Sequence, residues 1–291
     1  MSDGAARTVS SPSPALHADR AGAGPRSGPA RVADLYAALL RAELQAASAY
    51  RAQLVLGALA WVVPLAFMAL WRGASSATPV EGISQGQFTT YFALLLATTS
   101  LQVMLPVIFM SGGLVYSGQL SALLLRPIHA IHTIVARAVA GKVFSMPVLL
   151  VLVPVVLLTT DARLALSPST VVIAVLTCAL GLVGSTYLAA MAGALAFWMT
   201  KAQGVQGLLV GAEWILGGII APVALLPGPL AAAVPHQPLW FADAALPELL
   251  SGIRAASPFM VLEAAAWVVV LHVAYRLFWR RALAKYEAVG T

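Results

Sequence analysis

From Val171 to Trp198 the chain reads "VVIAVLTCALGLVGSTYLAAMAGALAFW", with no charged residue. A helix needs about 20 apolar residues to cross the hydrocarbon of a bilayer. The alternation of a half-buried strand is absent. A segment in lipid must satisfy its own backbone hydrogen bonds, so such a span is a helix. The rest of the chain is of the same kind: 60% of residues are hydrophobic and 10% are charged. A soluble domain carries about 25% charged residues.

Five further stretches have the length and character of spans. They are Leu54 to Trp71, which is short and contains Pro64, Phe88 to Met110, Val143 to Leu158, Val205 to Leu226, and Phe259 to about Trp279. The third can borrow length from the helix before it. The expected fold is therefore an all-α membrane protein with six transmembrane helices. Residues 1–31 are different, being rich in Ser, Pro, Gly, Ala and Arg. They lack the apolar core of a secretory signal and cannot bury enough surface to fold, so a disordered tail is expected. Residues 32–291 form the transmembrane domain in this reading.

Charge sets the orientation. With the N-terminus inside, the inner segments carry 14 of the 17 cations, leaving Arg72, Arg163 and Arg254 outside. The positive-inside rule then places both termini in the cytoplasm, as expected at the plasma membrane. Anionic lipid at the inner face accounts for the isoelectric point near 9.8 without any nucleic-acid partner. The single Cys178 lies in an apolar run, so neither a disulfide framework nor a metal cluster is expected.

Two amphipathic pieces interrupt the apolar pattern. Residues 33–51 put Asp34, Arg41, Gln45 and Ser48 on one helical face and Tyr36, Leu40, Leu44 and Ala47 on another, as an interfacial helix does. The second piece, "SGQLSALLLRPIHAIHTIVARAVAGK" (117–142), forms the first inner loop. Pro127 starts a helix well and interrupts one badly. The pattern predicts a turn at Gly118, a short helix, a break at Arg126-Pro127 and a second helix running into the third span. On pattern alone this is either a docking element or a loop at the headgroups. The chain has no GxxxxGK[ST] phosphate loop, so it has no ATP site of that kind.

The stretch Tyr116 to Gly141 resembles the first intracellular loop of bacterial ABC type-2 permeases, through a Gly-x-Leu followed by Leu-Leu-Arg-Pro. "AYRAQ" (49–53), "GGIIAPVALLP" (217–227) and "WRRALAKYEAVGT" (279–291) are similar to other family segments in the same order. The tail "KYEAVGT" is less rich in Arg and Gly than is usual for the family. The resemblance covers about residues 32–291. It implies a half-transporter that pairs with a second permease copy or paralogue and with two separate ATPase subunits, which bind the ATP and Mg; this chain binds no cofactor or metal. It also implies a coupling helix seated in an ATPase groove, carried by Gly118, Leu120, Leu124, Leu125, Arg126 and Pro127. The implied cargo is hydrophobic or amphiphilic and commonly moves outward.

Polar residues inside spans are the candidates for a translocation path or permease interface. Glu213 lies near the middle of the fifth span, where a charge costs about 2.5–3.5 kcal/mol on insertion scales. It is expected to face a path, or else to hydrogen-bond Tyr187 or Gln102. Glu263 in the sixth span sits closer to the outer surface. His272 reads as a packed histidine. Gly217 and Gly218, with Gly211, permit close helix approach. Residues 221–258 contain seven prolines and read as short re-entrant helices on the outer side, acting as a gate or as a cap. An intramembrane enzyme is disfavoured, because no Asp lies in an expected span and no HExxH motif occurs. A proton-coupled secondary transporter using Glu213 is the alternative, but the internal repeat expected of one is absent.

Overall fold

The computed structural model describes residues 29–48, 59, 61–125, 128–143 and 146–289. The named elements among them are all helical, and Val80 and Ile83 form an isolated bridge. The helices are α1 (Pro29–Ser48), α2 (Val62–Ala74), α3 (Gln85–Leu101), α4 (Met104–Tyr116), α5 (Leu120–Leu124), α6 (Ala130–Val143) and α7 (Met146–Thr159). There follow α8 (Pro168–Ala194), α9 (Gln203–Leu216), α10 (Gly228–Ala233), α11 (Pro238–Asp243), α12 (Ala245–Leu250) and α13 (Pro258–Val289).

Helix α8 is the hub, with α13, α11, α4 and α12 packed on it. Local chemistry starts it: Ser167 caps the amide of Thr170, and Pro168 occupies the first turn, where its missing N–H costs nothing. Gly181 sets its distance to α11. A Cβ there would lie 2.3 Å from the Phe241 carbonyl carbon and 2.4 Å from the Ala242 nitrogen, so only glycine admits this crossing. Helix α3 begins with a capping box between Ser84 and Gln87. Its buried face, with Phe88, Tyr91, Phe92 and Leu95, packs against Trp240 and Phe241.

Three helical segments, the first with a short step inside it, are long and apolar enough to cross a membrane: Gln85–Tyr116, Pro168–Phe197 and Pro258–Tyr286. A fourth results if α6 and α7, inclined by 54°, count as one. Large apolar side chains point outward, among them Leu150, Leu158, Leu208 and Phe259, as hydrocarbon surroundings allow. The expected fourth and sixth spans are thus present as long helices. Of the expected first span, α2 covers the second half; residues 49–58 and 60 lie outside the described residues.

The expected second span has a non-helical step at Gln102 and Val103. Pro106 has no N–H to give the Gln102 carbonyl four residues earlier. The Gln102 side chain starts the helix anew, its Oε1 accepting from the amides of Val103 (3.0 Å) and Met104 (3.3 Å). The expected fifth span, Val205 to Leu226, is not one helix. Helix α9 ends at Leu216, Gly217 caps it and Gly218 has φ of +79°. A 14-residue helix is about 21 Å long, short of the roughly 30 Å hydrocarbon core. The chain continues as three short helices, α10 to α12, where one or two were expected, each interruption falling in the proline-rich segment.

The amphipathic helix α1 is present over Pro29–Ser48, beginning inside the stretch expected to be a tail. Residues 1–28 lie outside the described residues. The helix packs on α6, where Glu43 is buried and receives a two-pronged bond from Arg137, Nε at 2.9 Å and Nη2 at 3.2 Å. Tyr36 meets His132 edge-on at 5.5 Å. Its inner face therefore carries a charge that the simple apolar-face pattern missed.

Candidate functional site

The loop at 117–142 has the predicted turn, short helix and second helix, while the expected break at Arg126-Pro127 lies outside the described residues. Gly118 turns the chain with φ of +71°, α5 follows, and α6 starts at Ala130. Leu120 is 1% exposed and, with Leu123, anchors α5 in the core. Leu124 and Leu125 point away from it, and Leu125 is 89% exposed. Arg126 and Pro127 lie outside the described residues. The Tyr116 hydroxyl donates to the Met199 carbonyl (2.9 Å) and accepts from the Ala202 amide (3.1 Å), tying the loop to the start of α9. Of the residues named for coupling, Leu120 thus has an anchoring position, while Leu124 and Leu125 are available to a partner.

The second constellation lies where α9 breaks. Glu213 is 6% exposed and shares the inner face of α9 with Gln206, seven residues earlier, whose Nε2 donates to the Ala192 carbonyl at 3.2 Å. Neither expected partner bonds Glu213. The Tyr187 hydroxyl pairs with His272 Nδ1 at 3.0 Å, and Gln102 Oε1 accepts from Ser185 at 3.0 Å. The charges acting on Glu213 come instead from Lys142, at the end of α6, and from Asp243, at the end of α11. Gly217 and Gly218 face the same place. A Cβ on Gly217 would lie 2.9 Å from Asp243 Oδ2, and one on Gly218 would lie 2.5 Å from the Tyr91 hydroxyl, which donates to the Gly218 carbonyl at 2.7 Å.

Asp243, Gln206 and Lys142 were missed as members of this cluster; Gln102 was named as a partner of Glu213 and faces Asp243 instead. Asp243 sits in the proline-broken segment 221–258, and contact across the fold cannot be read from spacing. The Gln206–Glu213 interval of seven was a usable signal, since two helical turns return to the same face.

Glu263 is elsewhere. It pairs with His236 Nδ1 at 2.9 Å and remains partly exposed, while Trp267 Nε1 donates to the His236 carbonyl at 2.8 Å. His272 is the packed histidine expected. Between α1, α6 and α8 lies a cavity of about 360 Å³, walled by Leu40, Ile131, Val135, Val139 and Val183.

Long apolar helices around a buried polar break define a membrane-integral protein. The family described as "ABC-2 family transporter protein" matches residues 61–290, so the chain belongs to that family and is a transmembrane permease component of an ABC transporter. No curated protein matches the chain significantly.

Proposed function

We propose that this chain is the permease half of an exporter for hydrophobic or amphiphilic molecules, driven by separate ATPase subunits that carry the ATP and Mg. Two permease halves, identical or paralogous, enclose the path. The observation that carries the coupling is α5: a short helix anchored by Leu120 and Leu123, with Leu124 and Leu125 turned outward between two apolar segments. An apolar tip on a firmly held base suits a groove in a soluble subunit. Arg126 and Pro127 complete this element in the proposal.

The full arrangement has six spans, with both termini in the cytoplasm and the chain in the plasma membrane. Charge asymmetry supports it. The break at Gly217-Gly218 and Glu213 face the path or the interface between halves; Glu263 lies toward its outer end. The cleft beside α1 is mostly apolar, with Tyr36, His132, Thr186 and Tyr187 also on its wall, which supports a hydrophobic or amphiphilic cargo. ATP-driven closure of the ATPase pair would move α5 as a rigid element and switch the exposure of the path. Membership of the ABC-2 family does not favour proton-coupled transport through Glu213.

The test is co-purification from mild detergent of the tagged chain and its ATPase, with Arg126→Glu in parallel. Recovery of an ATPase by wild type and its loss in the variant support the assignment. No ATPase with wild type refutes it.

A further inference from the structure

Asp243 is an unusual aspartate. It is 0% exposed, and neither carboxylate oxygen has a hydrogen-bond partner. The groups that would ordinarily hold a buried charge are absent or committed. Gln102 on the α3–α4 junction faces it and is the one hydrogen-bond donor that acts on the carboxyl, but its buried Nε2, in a residue 6% exposed, makes no well-formed bond. The Tyr91 hydroxyl from α3 donates to the Gly218 carbonyl. Cys178 from α8 points its thiol to the Ala242 carbonyl. The neighbouring charge is Glu213 from α9, which is of the same sign, and Lys142 from α6 acts on Glu213. Glu248 from α12 is taken by Arg254.

Backbone dipoles make the place worse for an anion. Asp243 is the last residue of α11, and its Oδ2 lies against Gly217 at the last turn of α9. Gly217 is at the carbonyl end of α9, which repels negative charge, while the end of α11 and the start of α12 meet at Asp243 and oppose each other. A buried carboxylate with no partner is too costly to persist. An acid group in this position is more stable when neutral, because a neutral carboxyl loses far less hydration on burial than a carboxylate does.

We propose that Asp243 holds a proton in the packed structure, as a neutral carboxylic acid that closes the broken end of α9 against α11. The site is specific to the packed arrangement. Any movement that lets water reach Asp243 releases the proton. This does not depend on the coupling role of α5, and its test needs no ATPase.

The experiment is infrared spectroscopy of the full chain in lipid nanodiscs at neutral pH, with carboxyl-labelled aspartate. The chain has five aspartates; Asp34 and Asp161 are exposed, and Asp3 and Asp19 fall in the polar N-terminal stretch. Wild type should show a protonated-carboxyl carbonyl band that moves with the label, disappears in Asp243→Asn and survives in Glu213→Gln. If the asparagine variant fails to fold, the label shift in wild type decides alone. The linked readout is thermal unfolding: the native state holds a proton that the unfolded chain loses, so wild-type stability should fall as pH rises, and Asp243→Asn should flatten that slope. No labelled band at neutral pH overturns the proposal. In that case, unfolding temperatures that rise with sodium or potassium in wild type only would assign a metal cation in the proton's place.

Discussion

Replacing Arg254 with Met is expected to be among the most damaging changes outside the long helices. The Glu248 side chain is 0% exposed and is held by Arg254 Nε at 2.8 Å and by the Ala224 amide at 3.3 Å. Arg254 also sits over the Trp240 ring at 5.3 Å, and its own amide donates to the Glu248 carbonyl at 3.1 Å. Removing one partner of a buried pair costs about 3–5 kcal/mol, because the other charge is left bare. Loss of the cation–π contact adds about 0.5–2 kcal/mol. The Arg254 side chain is 23% exposed, so water relieves part of this and the low end applies, about 3 kcal/mol in all. That is roughly two decades in the unfolding constant. Adding Glu248→Gln should recover about 2 kcal/mol, since the amide oxygen still accepts from Ala224 and no charge remains. The assay is reversible unfolding in mixed micelles, followed by tryptophan fluorescence, with wild type, both single variants and the double variant. A cost for Arg254→Met below about 1 kcal/mol, or no recovery in the double variant, would refute the claim that a desolvated charge pair pins the short helices between α9 and α13.

Other expectations follow from the same coordinates. Glu43→Gln should cost about 1 kcal/mol or less, because Arg137 is half exposed, yet it should loosen α1 and speed amide exchange over residues 36–46. Leu125→Asp should leave stability within about 0.5 kcal/mol, since the side chain is almost fully solvent-facing, while abolishing ATPase co-purification. Gly181→Ala forces a methyl into the α11 backbone and should cost about 1–3 kcal/mol or more, read as a lowered unfolding temperature. The hydrogen bond from Arg72 holds the Asp161 carboxyl below the usual carboxylate range. Its contribution is therefore present above that range and lost as pH falls through the lowered value. Asp161→Asn should shrink the acid-side fall in unfolding temperature, by well under 1 kcal/mol because the pair is exposed.

The sequence by itself determined the class of structure. Uncharged runs long enough to cross a bilayer leave the backbone no alternative to helix, and this is a local property that needs no knowledge of neighbours. The same holds for α8, for α13 and for the turn–short helix–helix form of residues 118–143, because Gly118 and the apolar periodicity act within a few residues. Gly217, Gly218 and Pro222 were also visible. Their effect, ending α9 at 14 residues, was overshadowed by the apolar run continuing past them.

Only the tertiary structure decided what the polar residues meet. Glu213 was legible as expensive, but its neighbours Asp243 and Lys142 lie 30 and 71 positions away along the chain, and no spacing rule joins such residues. Glu43 belongs to neither face named for this helix, and its partner Arg137 appears only when α6 packs on it. Gly181 was legible as a glycine that permits close helix approach, but only the fold shows that the α11 backbone is what approaches it. Helix formation is settled by bonds between residues four apart, so sequence reports it. The fate of a buried charge is settled by whichever groups the whole fold brings within a few ångströms, so it appears only when the chain is packed.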